Sequence, residues 1–434
     1  MTGLLTTSGA QFRDWSAAYR LFSRQRIPIT EIFSAVRRAA TQTLAPGAPV
    51  CAVIDDTLLR RAGAHTPGVA WRRDPLGPRF QTNFVRAQRF VQTSVAVRAG
   101  DALRMIPVSF VHAPTPNKPS QKADEKQLAQ YRTEARAARL SQRGVEQIQS
   151  LRAALDQDAP GTPRPLVVAF DGGYTNETVL KHIPANTVCI GRLRKDAHLL
   201  FTPDSSHRKS SGRRRCYGAP APTPEQVRAD DSAWETIAFT REGTSHSLRF
   251  KRRTGLMWRT AGAEHVLQLI VIAPLGYRLR KGSKLLYRQP AFLICTDATL
   301  DPRLIIETYF QRWDIEVNFR EEKTLLGVGQ AQLRCPHSVA DAPALAVASY
   351  AMLLLATQRA FASSRDGMLP RPGWNKSSTS RVSTQAAINQ LRAEIWGRGL
   401  GLDDFSGFAS RLAPDAKSEK SSFPLASAVV YAQA

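Results

Sequence analysis

Two hydrophobic periods alternate along the chain. Residues 1–48 follow the helical one. Phe12, Trp15, Tyr19 and Phe22 make one apolar face, and Ile29, Ile32, Phe33 and Val36 make another. Val50 to Asp56 is different: a short Val- and Ile-rich run ending in acids, the texture of a central buried strand. Phe90–Val97 and Leu103–Val111 are two more strands, predicted to pair across Ala99-Gly100-Asp101. The Gly-, Pro- and Arg-rich stretch between Asp56 and Phe90, with Trp71 and Phe80, reads as a connection. Pro114, Pro116 and Pro119 interrupt the chain. Helical spacing returns from about Asp124 to Leu155, with Gly144 as the point dividing two helices. Leu166–Asp171, Glu177–Ile183 and Thr187–Leu193 read as strand, short helix and strand.

From about Leu200 to Pro290 the texture turns antiparallel. Strand-like runs fall at Trp234–Thr240, Ser247–Arg252, His265–Ala273 and Leu285–Thr296. Leu304–Leu325 is a long helix, Ala342–Ala360 a largely apolar one, and Gln385–Trp396 the last. Residues 363–383, rich in Ser, Pro, Gly and Arg, read as a linker. The expected organisation is a helical region at 1–48, the first part of an α/β core at 49–199, a β-rich insertion at 200–296, the second part of the core at 297–360, and a linker with a C-terminal helical region at 361–434. Met1 to Arg20 carries no secretory pattern, and the longest apolar run, Pro343–Ala356, is too short for a bilayer, so no membrane partner is expected. The five cysteines form no CxxC pair, which argues against zinc or a disulfide framework and fits a reducing cytoplasm.

Charge changes the picture. Of 434 residues, 60 are Lys or Arg and 36 are Asp or Glu, a formal net charge of +24, while 43% are hydrophobic. That is a folded protein with a strongly positive field, and a polyanion is the partner it suits, nucleic acid before membrane. Residues 1–48, with Arg20, Arg24, Arg26, Arg37 and Arg38, then read as a DNA-binding helical module or as a basic cap on the core. Arg208, Lys209, Arg213, Arg214 and Arg215 form one basic cluster. Arg278, Arg280, Lys281, Lys284 and Arg288 form another, in the insertion; each is a DNA contact or a solvated loop.

Acids within this basic chain stand in a telling order. One strand ends in Asp55-Asp56, a later one in Asp171, and a long helix carries Glu316. Carboxylates at buried strand ends are costly unless something uses them, and ligands of α/β sheets bind there. Three meeting at one point would repel, and a divalent cation with a taste for hard oxygen, Mg²⁺ or Mn²⁺, would resolve that. Taken singly, each has a plainer reading: a turn for Asp171, an N-cap for Asp55 or Asp56, a surface residue for Glu316. The helix adds a fourth feature. Tyr309, Arg312, Glu316 and Lys323 fall on one helical stripe where a bland amphipathic helix would place apolar residues.

The run Tyr309 to Lys323 matches Y-x2-R-x3-E-x6-K without a gap. It resembles the YREK signature of bacterial insertion-sequence transposases in the DDE superfamily. Ile54-Asp55-Asp56-Thr57 resembles the block with that family's first catalytic Asp, which precedes Thr and so points to Asp56, with Asp55 the alternative. Phe170-Asp171-Gly172-Gly173-Tyr174 resembles the second block. The resemblance spans roughly residues 48–360. It implies a ribonuclease-H-like mixed sheet flanked by helices and interrupted by the insertion. It also implies Asp56, Asp171 and Glu316 as catalytic ligands of two Mg²⁺ (or Mn²⁺) ions. The reaction implied is cleavage of double-stranded DNA at transposon ends, followed by attack of the 3′-OH on target DNA. Tyr309, Arg312 and Lys323 would contact DNA phosphates, and Arg213, Arg214, Arg280 and Lys284 would add DNA-binding charge. Phe292, or next Trp258, would be the aromatic that stacks on a flipped base, unless it simply packs in its strand. A homodimer in a synaptic complex and a bacterial, nucleoid-associated location complete the expectation. Two rivals remain: a ribonuclease-H-like, structure-selective nuclease that cuts without joining, and a DNA-binding protein descended from a transposase.

Overall fold

The computed structural model describes residues 14, 16–24, 26–63, 65–74, 77–78, 80–99, 102–203, 215–241, 244–280, 282–361, 368 and 381–399. Helices α1 (Ser16–Ser23) and α2 (Ile29–Thr41) precede four strands: β1 (Val50–Arg60), β2 (Ala70–Arg73), β3 (Phe84–Ala99) and β4 (Ala102–His112). Helices α3 (Glu125–Ala137) and α4 (Leu140–Asp158) follow, then β5 (Leu166–Phe170), α5 (Glu177–Leu180) and β6 (Thr187–Arg192). β1 pairs antiparallel with β3 and parallel with β5. β3 pairs antiparallel with β4, and β5 parallel with β6. In space the long strands run β4-β3-β1-β5-β6, the mixed order of a ribonuclease-H-like core, as expected.

The insertion continues this sheet. It holds β7 (Leu200–Phe201), α6 (Pro224–Ala229), β8 (Glu235–Arg241), β9 (Thr244–Trp258), β10 (Gly262–Ile272), the small hairpin β11 (Gly276–Tyr277) and β12 (Leu286–Tyr287), and β13 (Ala291–Cys295). β13 pairs antiparallel with β6, and β10, β9 and β7 follow outward. The chain then forms α7 (Pro302–Thr324), α8 (Pro336–Ala360) and α9 (Thr384–Gly399).

Both faces of the sheet are covered, and β1 shows how the sequence specifies each. Val50, Ala52 and Ile54 join the apolar cluster that contains Val145, Ile148 and Leu151 of α4. Val53 joins the cluster that contains Ile305, Ile306 and Ile315 of α7. Such near-continuous apolarity is what a strand buried on both faces requires. α7 is anchored from behind by a polar knot. Tyr350 of α8 donates to Glu321 at 2.6 Å and Thr384 donates to the same oxygen at 2.5 Å, with Arg104 of β4 3.7 Å away.

Three local expectations change. β1 runs on to Arg60, so Asp55 and Asp56 lie inside the strand, not at its end. The connection after them contains β2, which the density of Gly and Pro around it masks in the sequence. The break between α3 and α4 falls at Ala138-Arg139, and Gly144 lies inside α4. A Cβ at 144 would sit 2.6 Å from the Tyr174 ring, so this glycine allows a close crossing where the sequence suggests a helix end.

Candidate active site

Consecutive residues of a strand face opposite ways. Because β1 continues past them, Asp55 and Asp56 are separated by the sheet itself. Asp55 points toward α7, where its Oδ2 lies 3.3 Å from Arg312 Nη1. The same Nη1 is 3.2 Å from Glu316 Oε1. One guanidinium thus joins the strand acid to the helix acid. Asp171 lies just past β5, whose register places Ala169 beside Val53 and hence carries Asp171 toward Asp55. Burial, and next the charge of Asp171, push the Asp55 carboxyl up to about 7, while Arg312 opposes the shift. Asp56 points the other way, with Arg89 Nε 3.2 Å from its Oδ2. Burial raises its pKa too, against the pull of Arg89. Asp55, the alternative first acid, and not Asp56 thus shares a face with Glu316.

Asp171 is held by a turn built from its neighbours. Its Oδ1 accepts from Gly173 N at 2.8 Å, and its backbone oxygen accepts from Thr175 Oγ1 at 2.9 Å. Asn176 then caps α5 through Val179 N. Gly191 of β6 leaves the room, since a Cβ there would meet Thr175 Oγ1 at 2.3 Å. The turn reading and the site reading of Asp171 are thus compatible: the turn aims the carboxylate.

The helical stripe is real, but its members differ in role. Tyr309 is buried, with its ring 5.9 Å from the Arg312 guanidinium, and does not face solvent. Arg312 also lies 5.9 Å from the Trp313 ring. Lys323 reaches β1 further along and donates to Thr57 Oγ1 at 2.6 Å; burial lowers its pKa. Glu322 beside it was not singled out in the sequence. It is buried between α7 and β3, its Oε1 has no hydrogen-bond partner among the described residues, and burial pushes its carboxyl up to about 8. Arg89, the counter-ion of Asp56, was missed as well. Only the strand register, which pairs Asp56 with Val91 and Leu58 with Arg89, brings it diagonally beside Asp56.

The basic and aromatic candidates divide. Arg280 and Lys284 are exposed on the β11–β12 hairpin. Arg213 and Arg214 lie outside the described residues. Phe292 and Trp258 do not stand free for a base. Phe292 is 5% exposed within an apolar cluster, and Trp258 is packed against that cluster. The inward side of β13 and the bend after β9 decide this, and no sequence pattern distinguishes such a position from an outward one.

Among the described residues, no three His, Cys, Asp or Glu side chains are gathered as a finished metal cage. Asp55, Asp171 and Glu316 nonetheless suit a hard divalent cation. All are oxygen donors, Asp55 and Asp171 repel each other, and a cationic group already bridges Asp55 to Glu316. A ribonuclease-H-like sheet with acids on β1, after β5 and on the helix following an insertion defines a nuclease of the DDE class. The chain belongs to that superfamily: a family model described as DDE superfamily endonuclease matches residues 4–254. That span includes Asp55, Asp56 and Asp171 and ends before Glu316, so the match is independent of the helical stripe. Nucleases of this superfamily act on DNA and are generally dependent on divalent metal. No curated protein matches the chain.

Proposed function

We propose that the protein is the transposase of an insertion sequence, cutting DNA at the element's ends and joining the exposed 3′-OH to target DNA. The observation that carries this reading is the position of Arg312. From the Y-x2-R-x3-E-x6-K helix it engages both Asp55 and Glu316, so the signature motif and the acids form one site. Asp55, Asp171 and Glu316 would hold the divalent ions, two per site, with Asp55 in the place for which the motif alone favoured Asp56. Bound there, the ions would activate the attacking water or 3′-OH and stabilise the leaving oxygen.

The chain's own groups prepare that step. The two acids hold Arg312 at the site, and its planar fork of donors suits a bidentate phosphate contact. Thr57 fixes the Lys323 ammonium further along the same face, as a point charge for a neighbouring phosphate. The exposed Arg280 and Lys284 hairpin supplies non-specific charge, as do Arg213 and Arg214. Two ends must be held together, so a homodimer in a synaptic complex is the working form, within a bacterial cytoplasm and on the nucleoid.

The test is a cleavage and joining assay with end DNA, Mg²⁺ and a supercoiled plasmid. Transposase activity yields 3′-OH ends and then plasmid-joined products, both lost in Glu316→Gln. Cutting without joining would replace this reading with that of a structure-selective nuclease. DNA binding with no cutting at all would leave only a transposase-derived binding protein. Arg312→Ala is expected to weaken end binding or positioning.

A further inference from the structure

The β2–β3 hairpin carries a surface that neither the acids nor the helix explain. Trp71 of β2 sits opposite Arg86 of β3, and Arg73 sits opposite Phe84. Pairs directly opposite share a face of the sheet, so these four make a checkerboard of two aromatic rings and two guanidinium groups. Trp71 is 68% exposed and Phe84 57%, although large apolar groups at such positions gain by packing. Arg86 lies 5.7 Å from the Trp71 ring centre. The neighbouring acid, Asp74, is on the opposite face and is held by Arg60 at 2.8 Å. Neither Arg73 nor Arg86 has an ion pair among the described residues.

Register fixes where this surface points. Asp55 pairs with Gln92 and Thr57 with Phe90, so alternate β3 residues from Gln92 down to Arg86 and Phe84 share the face that carries Asp55 and the Lys323 contact. Arg86 is six residues from Gln92, roughly 20 Å along the strand. That is the reach of about six nucleotides at a 3.4 Å rise.

We propose that Trp71, Arg73, Phe84 and Arg86 form a stacking platform for unpaired bases of a DNA strand leaving the cut site. The platform rests on DNA being the substrate but not on the joining reaction. The favoured occupant is a nucleobase, not an apolar protein segment. Each exposed ring is paired with a cation, which suits a π-face flanked by phosphates.

The test is fluorescence anisotropy in EDTA, so that cleavage plays no part and failure of the catalytic reading cannot be mistaken for failure of this one. Three labelled DNAs are compared: a blunt duplex, the same duplex with an eight-nucleotide single-stranded extension, and that extension made abasic. Wild-type protein is expected to bind the base-bearing extension about tenfold more tightly than the abasic one, the scale of one aromatic–base stack. Trp71→Ala is expected to erase that difference, Trp71→Phe to keep most of it, and neither to change blunt-duplex binding or the melting temperature. Equal wild-type affinity for base-bearing and abasic extensions would overturn the proposal. So would a Trp71→Ala loss shared equally by the blunt duplex.

Discussion

Asp55 and Asp56 are the same residue type, adjacent in the chain, and they live on opposite sides of one strand. Asp55 faces a helix that carries a second acid, and a single arginine serves both. Asp56 faces an arginine of its own, Arg89. The first arrangement concentrates negative charge near Asp171 and leaves Asp55 poorly compensated. The second resembles an ordinary half-buried ion pair. Under-compensated charge is what a divalent cation and a phosphodiester can use, and a carboxylate with a counter-ion of its own suits a scaffold.

The largest effect that could break this comparison is on catalysis. Asp55→Asn is expected to lower Mg²⁺-dependent end cleavage at least about a thousandfold, roughly 4 kcal/mol of transition-state stabilisation. Asp56→Asn should cost no more than about tenfold under the same conditions. The reverse ranking in single-turnover cleavage would return the first-acid role to Asp56.

Stability against pH should separate the two acids next. The Asp55 carboxyl is raised to about 7 in the folded protein. As pH rises from the ordinary carboxylate range toward 7, the unfolded chain gives up this proton and the folded chain keeps it. The ionised form is thus a cost to folding above pH 7 and none below about pH 4. Without metal, Asp55→Asn is expected to raise stability at pH 8 by on the order of a few kcal/mol and to change it little at pH 4. Melting curves in EDTA at both pH values would show it, and equal effects at the two would refute the electrostatic account of the site.

Smaller effects sharpen the Asp56 side. Arg89→Gln leaves Asp56 without its counter-ion and should cost about 2 kcal/mol in urea unfolding, below the penalty for a fully buried pair because both groups retain some solvent. Smallest is Gly144→Ala. The added methyl must displace the Tyr174 ring, and about 1 kcal/mol is expected in the same measurement. A neutral result would mean that α4 shifts freely over the β5 turn.

Much of this was legible before folding was considered. The strand runs at Val50, Leu166 and Thr187 and the helix at Leu304 are strongly patterned, and their order alone traces the mixed core. The four positions from Tyr309 to Lys323 stand out because polar groups occupy a stripe that burial would make apolar. What could not be read depended on partners distant in sequence. β2 owes its existence to pairing with β3, and a four-residue run among prolines and glycines has no propensity strong enough to announce it. Phe292 looks the same from the sequence whether its ring points in or out.

The chain by itself determined which chemistry is present: three acids in order, a basic helix stripe beside the last, and an excess of positive charge for DNA. Residue type and local period are properties of a short stretch, and they survive without tertiary contacts. Only the folded structure shows which of the two neighbouring aspartates lies beside Glu316 and Arg312. The choice depends on β1 continuing past both residues and on the register that turns Asp55 toward α7, and a one-residue slip of that register would exchange them.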